Sequence, residues 1–256
     1  MSQCNRLKEQ YKTSENLDIR IAIHQRYSTN KQGFNNWIFS QYDLSKSSRI
    51  LDLGCGNSII WKDNWEQVPA ECQLVLTDFS KGMLEASQHN LGLKPNLSFL
   101  EADIQKLPFE DNSFDIITAN MVFFHLPDLR KGLKEIKRVL KPNGVFYTAT
   151  FGEHGISQTL GDWLKDIGKA NDSPDIFTLQ NGGAKLENYF NKVERLDYQD
   201  SPEVTRLEDL IDYLYSLPEV FELEEDKREL VFQTLSRHTK DGVLTIPKEY
   251  GVFICR

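Results

Sequence analysis

Residues Ile50-Leu51-Asp52-Leu53-Gly54-Cys55-Gly56-Asn57-Ser58 constrain this chain more than any other stretch. An apolar strand end runs into an acid and two glycines spaced by one residue, and a helical pattern follows. Glycine lets the backbone turn sharply and lets a ligand approach where a Cβ would collide. A strand, glycine loop and helix in that order is the signature of a nucleotide-type cofactor site.

The following hundred residues repeat this grammar. Strand-like runs cover Arg49–Leu53, Gln73–Thr77, Leu97–Glu101, Phe114–Ala119 and Gly144–Phe151. Helical patterns cover Ser58–Gln67, Ser80–Asn90 and Asp128–Leu140, with Ser80 placed as an N-cap. Pro142-Asn143-Gly144 reads as a turn feeding the fifth strand. Alternation at this spacing predicts parallel strands joined by right-handed crossovers. The strands are almost wholly apolar, as expected when helices cover both sheet faces.

The flanks are less regular. Residues 1–46 read as a helical segment in which Leu17, Ile21 and His24 share a face, followed by the polar run Tyr27-Ser28-Thr29-Asn30 and a second helix carrying Phe34, Trp37, Ile38 and Tyr42. Beyond residue 152, helical patterns occupy about 157–170, 205–216 and 220–238. Val193–Tyr198 and Val243–Cys255 read as strands, the second broken by Pro247. The predicted organisation is an N-terminal cap segment (1–46), a cofactor-binding core (47–152) and a remainder that completes the sheet and inserts cap helices (153–256), all one continuous domain.

Two acids follow the glycine loop at informative positions. Asp78 ends the second strand about 22 residues beyond Gly56, where a carboxylate can accept hydrogen bonds from both ribose hydroxyls. Asp103, in Glu101-Ala102-Asp103-Ile104 after the third strand, can accept from an exocyclic amine such as adenine's. Asn120 lies at the carboxyl end of the fourth strand, the edge where open α/β sheets bind ligands.

The ordered set Leu51-Asp52-Leu53-Gly54-Cys55-Gly56, Thr77-Asp78-Phe79-Ser80, Glu101-Ala102-Asp103, Leu107-Pro108-Phe109-Glu110-Asp111-Asn112-Ser113-Phe114-Asp115 and Arg138-Val139-Leu140-Lys141-Pro142-Asn143-Gly144 resembles the class I S-adenosylmethionine-dependent methyltransferases. The likeness is nearest to the small-molecule branch of ubiquinone/menaquinone C-methyltransferases and natural-product enzymes, and it covers about residues 48–150. It implies a Rossmann-like, doubly wound α/β fold of seven strands, the last antiparallel, with a helical cap. It implies S-adenosyl-L-methionine as cofactor and S-adenosyl-L-homocysteine as product. On the matching positions, the Gly54-Cys55-Gly56 loop would lie against the methionine moiety and Asp52 would orient it. Asp78 would hold the ribose, Phe79 and Met83 would flank the adenine, Asp103 and Ile104 would address its edge, and Asn120 would face the methionine amine. Where the family often has a third glycine, this chain has Ser58.

Methyl transfer from a sulfonium needs alignment and exclusion of water, and a base only when the acceptor is protonated. His125, Glu153 and His154 follow the fourth and fifth strands and are the candidate bases; Tyr27 and His24 are candidates to close over the cofactor. The expected partner is a small-molecule methyl acceptor, with the chain acting as monomer or homodimer.

Competing readings carry less. A nicotinamide dehydrogenase needs G-x-G-x-x-G, and position 59 is Ile. A nucleic-acid methyltransferase is disfavoured by a net charge of −8 and by Asn120-Met121-Val122-Phe123 where amino-group enzymes carry Pro-Pro-Tyr/Phe. A non-catalytic cofactor-binding regulator shares every motif, since fold does not prove chemistry. The four cysteines, Cys4, Cys55, Cys72 and Cys255, form no C-x-x-C pair and predict reduced thiols and no metal site. A polar start and the lack of long apolar runs predict a cytoplasmic protein without membrane contact.

Overall fold

Seven strands, the central ones buried on both faces, build one mixed sheet. A computed structural model describes residues 15–46, 49–170, 176–218 and 220–256, so Cys4 and the first part of the N-terminal cap segment lie outside the described residues. The strands are β1 (Arg49–Leu53), β2 (Gln73–Asp78), β3 (Leu97–Glu101), β4 (Phe114–Thr118), β5 (Leu140–Phe151), β6 (Val193–Asp200) and β7 (Lys248–Cys255). Their order is β3-β2-β1-β4-β5-β7-β6. β1 to β5 pair in parallel, while β7 inserts antiparallel between β5 and β6. The order reverses at β1/β4, and such a switch point opens a crevice at the carboxyl ends of the strands.

Helices cover both faces. One face of the sheet (Leu51, Leu53, Ile117, Phe146, Phe253) packs with α5 (Leu129–Val139) and α7 (Gly182–Leu186). The other (Ile50, Leu74, Leu76, Ile116, Tyr147, Val252, Ile254) packs with α2 (Phe34–Phe39), α3 (Ile59–Asn64) and Leu91 at the end of α4 (Lys81–Leu91). The odd–even split is the two-residue period of a strand expressed as two cores. A third cluster joins α1 (Glu15–Tyr27) to α6 (Ile156–Leu164), α8 (Leu207–Tyr215) and α9 (Arg228–Ser236) beyond the carboxyl edge.

Several local expectations change. Pro142-Asn143-Gly144 lies within the span of β5 rather than before it: Leu140 already pairs with Phe114, and residues 141–144 bulge out unpaired before Val145 pairs with Ile116. The helix expected over 157–170 stops at Leu164, and Lys169–Ala170 pairs with Phe221–Glu222. That pairing also removes the start of the helix expected over 220–238, leaving α9 from Arg228. The Pro247 break holds: Leu244–Thr245 pairs with Glu203–Val204 before β7 begins, because proline cannot donate to a ladder.

Candidate cofactor and acceptor site

After β1 the backbone turns through Gly54 (φ 68°), Gly56 (φ 55°) and Ser58 (φ 57°) before α3 starts. All three occupy the left-handed region, which costs a residue with a Cβ about 1–2 kcal/mol. Ser58 therefore stands in a conformation suited to glycine, and its buried hydroxyl is tied to Ser87 of α4 at 2.5 Å. The loop is fastened to β2 twice. Cys55 N donates to the Thr77 carbonyl at 2.9 Å, and Gly56 N donates to Asp78 Oδ2 at 3.0 Å.

Asp78 also accepts from Ser80 N through Oδ1 at 2.8 Å. Both carboxylate oxygens are thus held by backbone N–H donors, with Phe79 contributing a further one. Burial pushes its pKa upward against these hydrogen bonds.

Asp52 faces the other way. Its oxygens accept from Thr118 Oγ1 at 2.6 Å and from Trp61 Nε1 at 2.8 Å, beneath the loop in the core. Burial raises its pKa to about 6, partly offset by those donors and reinforced by the charge of Asp78. Its carboxylate fixes β1, α3 and β4 to one another, so it orients the loop from below.

Phe79 is half-buried at the tip of β2, and Met83 is buried in the first turn of α4, where its N–H is capped by Ser80. Ile104 is buried after β3 against Gly132 of α5. Asp103 is exposed and folds back to accept from Gln105 N at 2.8 Å. Asn120 donates through Nδ2 to Tyr42 Oη at 2.7 Å and accepts from Ala149 N at 3.2 Å. Its side chain braces β4 against β5 and α2, and the chain then passes through Met121 at φ 54°. The topology thus gathers Gly54, Cys55, Gly56, Asp78, Phe79 and Asn120 at the carboxyl edge of β1, β2 and β4, with Asp103 and Ile104 following β3.

Tyr27 is not with them. It is buried in the third cluster, and its hydroxyl donates to Asp209 of α8. The residues of α1 that reach the site are Leu17, Asp18, Arg20 and His24. A Cβ on Gly56 would lie 3.3 Å from Leu17 Cδ2, and Asn57 Nδ2 donates to Asp18 Oδ1 at 3.0 Å. The helical spacing of Leu17 and His24 was the signal for this face, but spacing cannot say what the face covers. Val122 was also missed; it lies over Gly54, whose Cβ would fall 2.6 Å from Val122 Cγ2.

The three candidate bases differ in setting. Glu153 and His154 are exposed after β5; Glu153 accepts from Thr178 Oγ1 at 2.7 Å. His125 sits in a single turn after β4, its ring tilted against Phe124 with centroids 4.4 Å apart, and burial together with the Arg20 charge pushes its pKa down to about 4. It is neutral at pH 7 and able to accept a proton. Among the described residues no cluster of His, Cys, Asp and Glu could hold a metal ion, and no helix is long and apolar enough to cross a membrane.

Residues 51–148 match the family described as "Methyltransferase domain". A demethylmenaquinone methyltransferase of Staphylococcus epidermidis is 35% identical over 108 residues, 42% of this chain and 45% of that protein. The chain thus matches less than half the length of that relative. Among solved structures, phosphoethanolamine N-methyltransferase 2 of Haemonchus contortus, in complex with S-adenosyl-L-methionine, aligns with all of this chain and 60% of its own (TM-score 0.62, 16% identity). The [4+2]-cyclase SpnF aligns with 99% of this chain and 96% of its own (TM-score 0.62, 16% identity). At such identities the structures speak to fold alone. Fold, glycine loop and sequence match agree: residues 51–148 are similar to the methyltransferase domain, and the chain shares its fold with solved methyltransferase structures.

Proposed function

We propose that the chain transfers a methyl group from S-adenosyl-L-methionine to a small molecule held between the carboxyl edge of the sheet and α1. The observation that carries this reading is Asp78, whose two carboxylate oxygens are held at the carboxyl edge of β2 by Gly56 N and Ser80 N. A vicinal diol such as ribose needs two acceptors side by side, and this carboxylate supplies them. Phe79, Met83 and Ile104 supply apolar surface for a purine next to it. The residues present fit the cofactor.

When bound, the cofactor supplies an activated methyl group on a sulfonium. The chain's own contributions are alignment and dryness. The left-handed turns at Gly54 and Gly56 hold the loop backbone against the ligand. Leu17 and Val122 stand over that loop and exclude water from it. Fixing donor and acceptor in reacting geometry supplies roughly 7–11 kcal/mol of barrier lowering. For an acceptor that arrives protonated, His125, Glu153 and His154 are the candidate bases: His125 is enclosed but made a weak base by a pKa of about 4, and the other two are exposed. The net charge of −8 disfavours a nucleic-acid acceptor.

The test is calorimetric titration with S-adenosyl-L-homocysteine, followed by a search for its formation from S-adenosyl-L-methionine across a panel of small acceptors. Saturable binding with turnover on one acceptor is the expected result. No binding at all would overturn the reading; binding without turnover on any acceptor would shift it to a regulatory protein.

A further inference from the structure

His24 is the outlier among the described side chains. Its Nε2 lies 3.3 Å from Tyr250 Oη, while its Nδ1 is buried without a hydrogen-bond partner. A buried polar atom left unpaired costs about 1–3 kcal/mol. Where such an atom stands at a functional edge, the unmet bond belongs to something that binds there.

The surroundings fit that view. Two groups of rings, one at the turn after β4 and one at α1, meet where β5 pairs with β7. His125 meets Phe124 at 4.4 Å and Phe124 meets Phe151 at 4.9 Å. Phe151 is paired across the sheet with Tyr250, and His24 meets Tyr250 and Tyr213 at 5.6 and 5.9 Å. Phe151 and Tyr250 are the carboxyl end of β5 and the start of β7, so this wall borders the site already described. His24, His125, Phe124, Phe151 and Tyr250 each keep accessible surface. Yet burial depresses both imidazoles, His24 to about 3. Accessible surface on a strongly desolvated group is what a wall of an enclosed crevice shows.

We propose that His24 is an acceptor-binding residue, its Nδ1 bonding a hydroxyl group of the methyl acceptor while Tyr250 fixes the ring through Nε2. The proposal rests on the methyltransferase reading above and deepens it. The neutral imidazole presents either a lone pair or an N–H at Nδ1, depending on the proton shared with Tyr250. A hydroxyl serves both tautomers; a carbonyl or an ether serves one. The flanking rings favour an apolar, planar body. Arg20, whose charge adds to the lowering of the His125 pKa, disfavours a cationic amine. An imidazole held neutral this strongly binds the acceptor rather than deprotonating it.

The test uses the full chain saturated with S-adenosyl-L-homocysteine and titrated with 2-naphthol or 2-methylnaphthalene, read by the probe's fluorescence. The wild type binds the naphthol tighter by about tenfold, the worth of one ordinary hydrogen bond. Two variants separate contact from scaffold. His24→Asn keeps an amide near the position of Nδ1, and His24→Gln keeps one near Nε2. The naphthol preference is retained in part by His24→Asn and lost in His24→Gln, with S-adenosyl-L-homocysteine affinity unchanged in both. A wild type without the preference, or a preference that survives His24→Gln and disappears in His24→Asn, overturns the proposal alone. A wild type that does not bind S-adenosyl-L-homocysteine overturns the reading beneath it.

Discussion

The indole N–H of Trp61 donates to Asp52 Oδ2 at 2.8 Å, and both side chains are buried. The acid that precedes the glycine loop is therefore committed to the core. With Thr118 on its other oxygen, it ties β1 to the first turn of α3 and to β4. The loop above is stiff because its base is bonded on three sides.

Asp52 predicts a pH signature. Its pKa is raised by burial to about 6, above an unfolded value of 3.8. The folded state therefore binds this proton more tightly than the unfolded chain. Its contribution to stability is fully present below about pH 4, falls as pH rises toward 6, and is constant above. Asp52→Asn removes that slope. Urea unfolding of both proteins from pH 4 to 7 should show their stability difference moving by about 2–3 kcal/mol in favour of the variant as pH rises. His24 and Asp200 slope the opposite way but are common to both proteins, so they cancel. A pH-independent difference would mean that Asp52 is charged throughout.

Asp78 tests the cofactor assignment. Asp78→Ala removes the acceptor offered to the ribose and also releases Gly56 N. Affinity for S-adenosyl-L-homocysteine should fall by about 1–3 kcal/mol, the range for a lost charge-assisted hydrogen bond. Asp78→Asn keeps the carbonyl for Gly56 and should lose less. Calorimetry showing unchanged affinity in the alanine variant would remove Asp78 from the site.

Gly54→Val should abolish cofactor binding. The left-handed backbone strains any Cβ, and the new one would meet Val122 Cγ2 at 2.6 Å. Unfolding should stay cooperative but occur at lower denaturant, by about 1–2 kcal/mol for the backbone alone. Adding Val122→Ala should restore part of the stability and none of the binding. Full binding by the single variant would show that the loop does not approach the ligand.

The glycine turn and the Ser80 cap were legible because each depends on neighbours in sequence, while the antiparallel last strand followed from the family resemblance. The departure at Ser58 from the family's third glycine was legible, and the structure adds that its backbone is left-handed. What escaped depends on tertiary contact. Pro142 to Gly144 reads locally as a turn before the fifth strand, yet Leu140 on its far side already pairs with Phe114, so the three residues become a bulge within β5. Phe221 reads as helical, yet Ala170 recruits it into a ladder. Tyr27 and Leu17 lie on one amphipathic helix, and only the docking of α1 decides that Leu17 covers Gly56 while Tyr27 joins α8. Asp52 reads as a ligand residue from its position in the motif, and the distant Thr118 claims it for the core.

The last prediction concerns the fastening of that docked helix. Lys248 Nζ bonds Asp200 Oδ2 at 2.8 Å, and neither side chain has solvent exposure. Burial would raise the Asp200 pKa, but Lys248, Ser28 and Asn30 hold it down to about 2. Asp200 also accepts from Thr29 N at 3.0 Å, so the residues just after α1 are pinned to the edge of β6 and β7. Lys248→Met leaves a buried carboxylate without its cation and should cost about 3–5 kcal/mol. Converting the carboxylate as well, in Asp200→Asn/Lys248→Met, should recover a large part, because the polar donors keep an acceptor and no charge is stranded. Denaturant unfolding of wild type, single and double variants measures both quantities. A single variant within 1 kcal/mol of wild type, the ceiling for an exposed pair, would show that water reaches Asp200 and that the segment after α1 is not pinned by it.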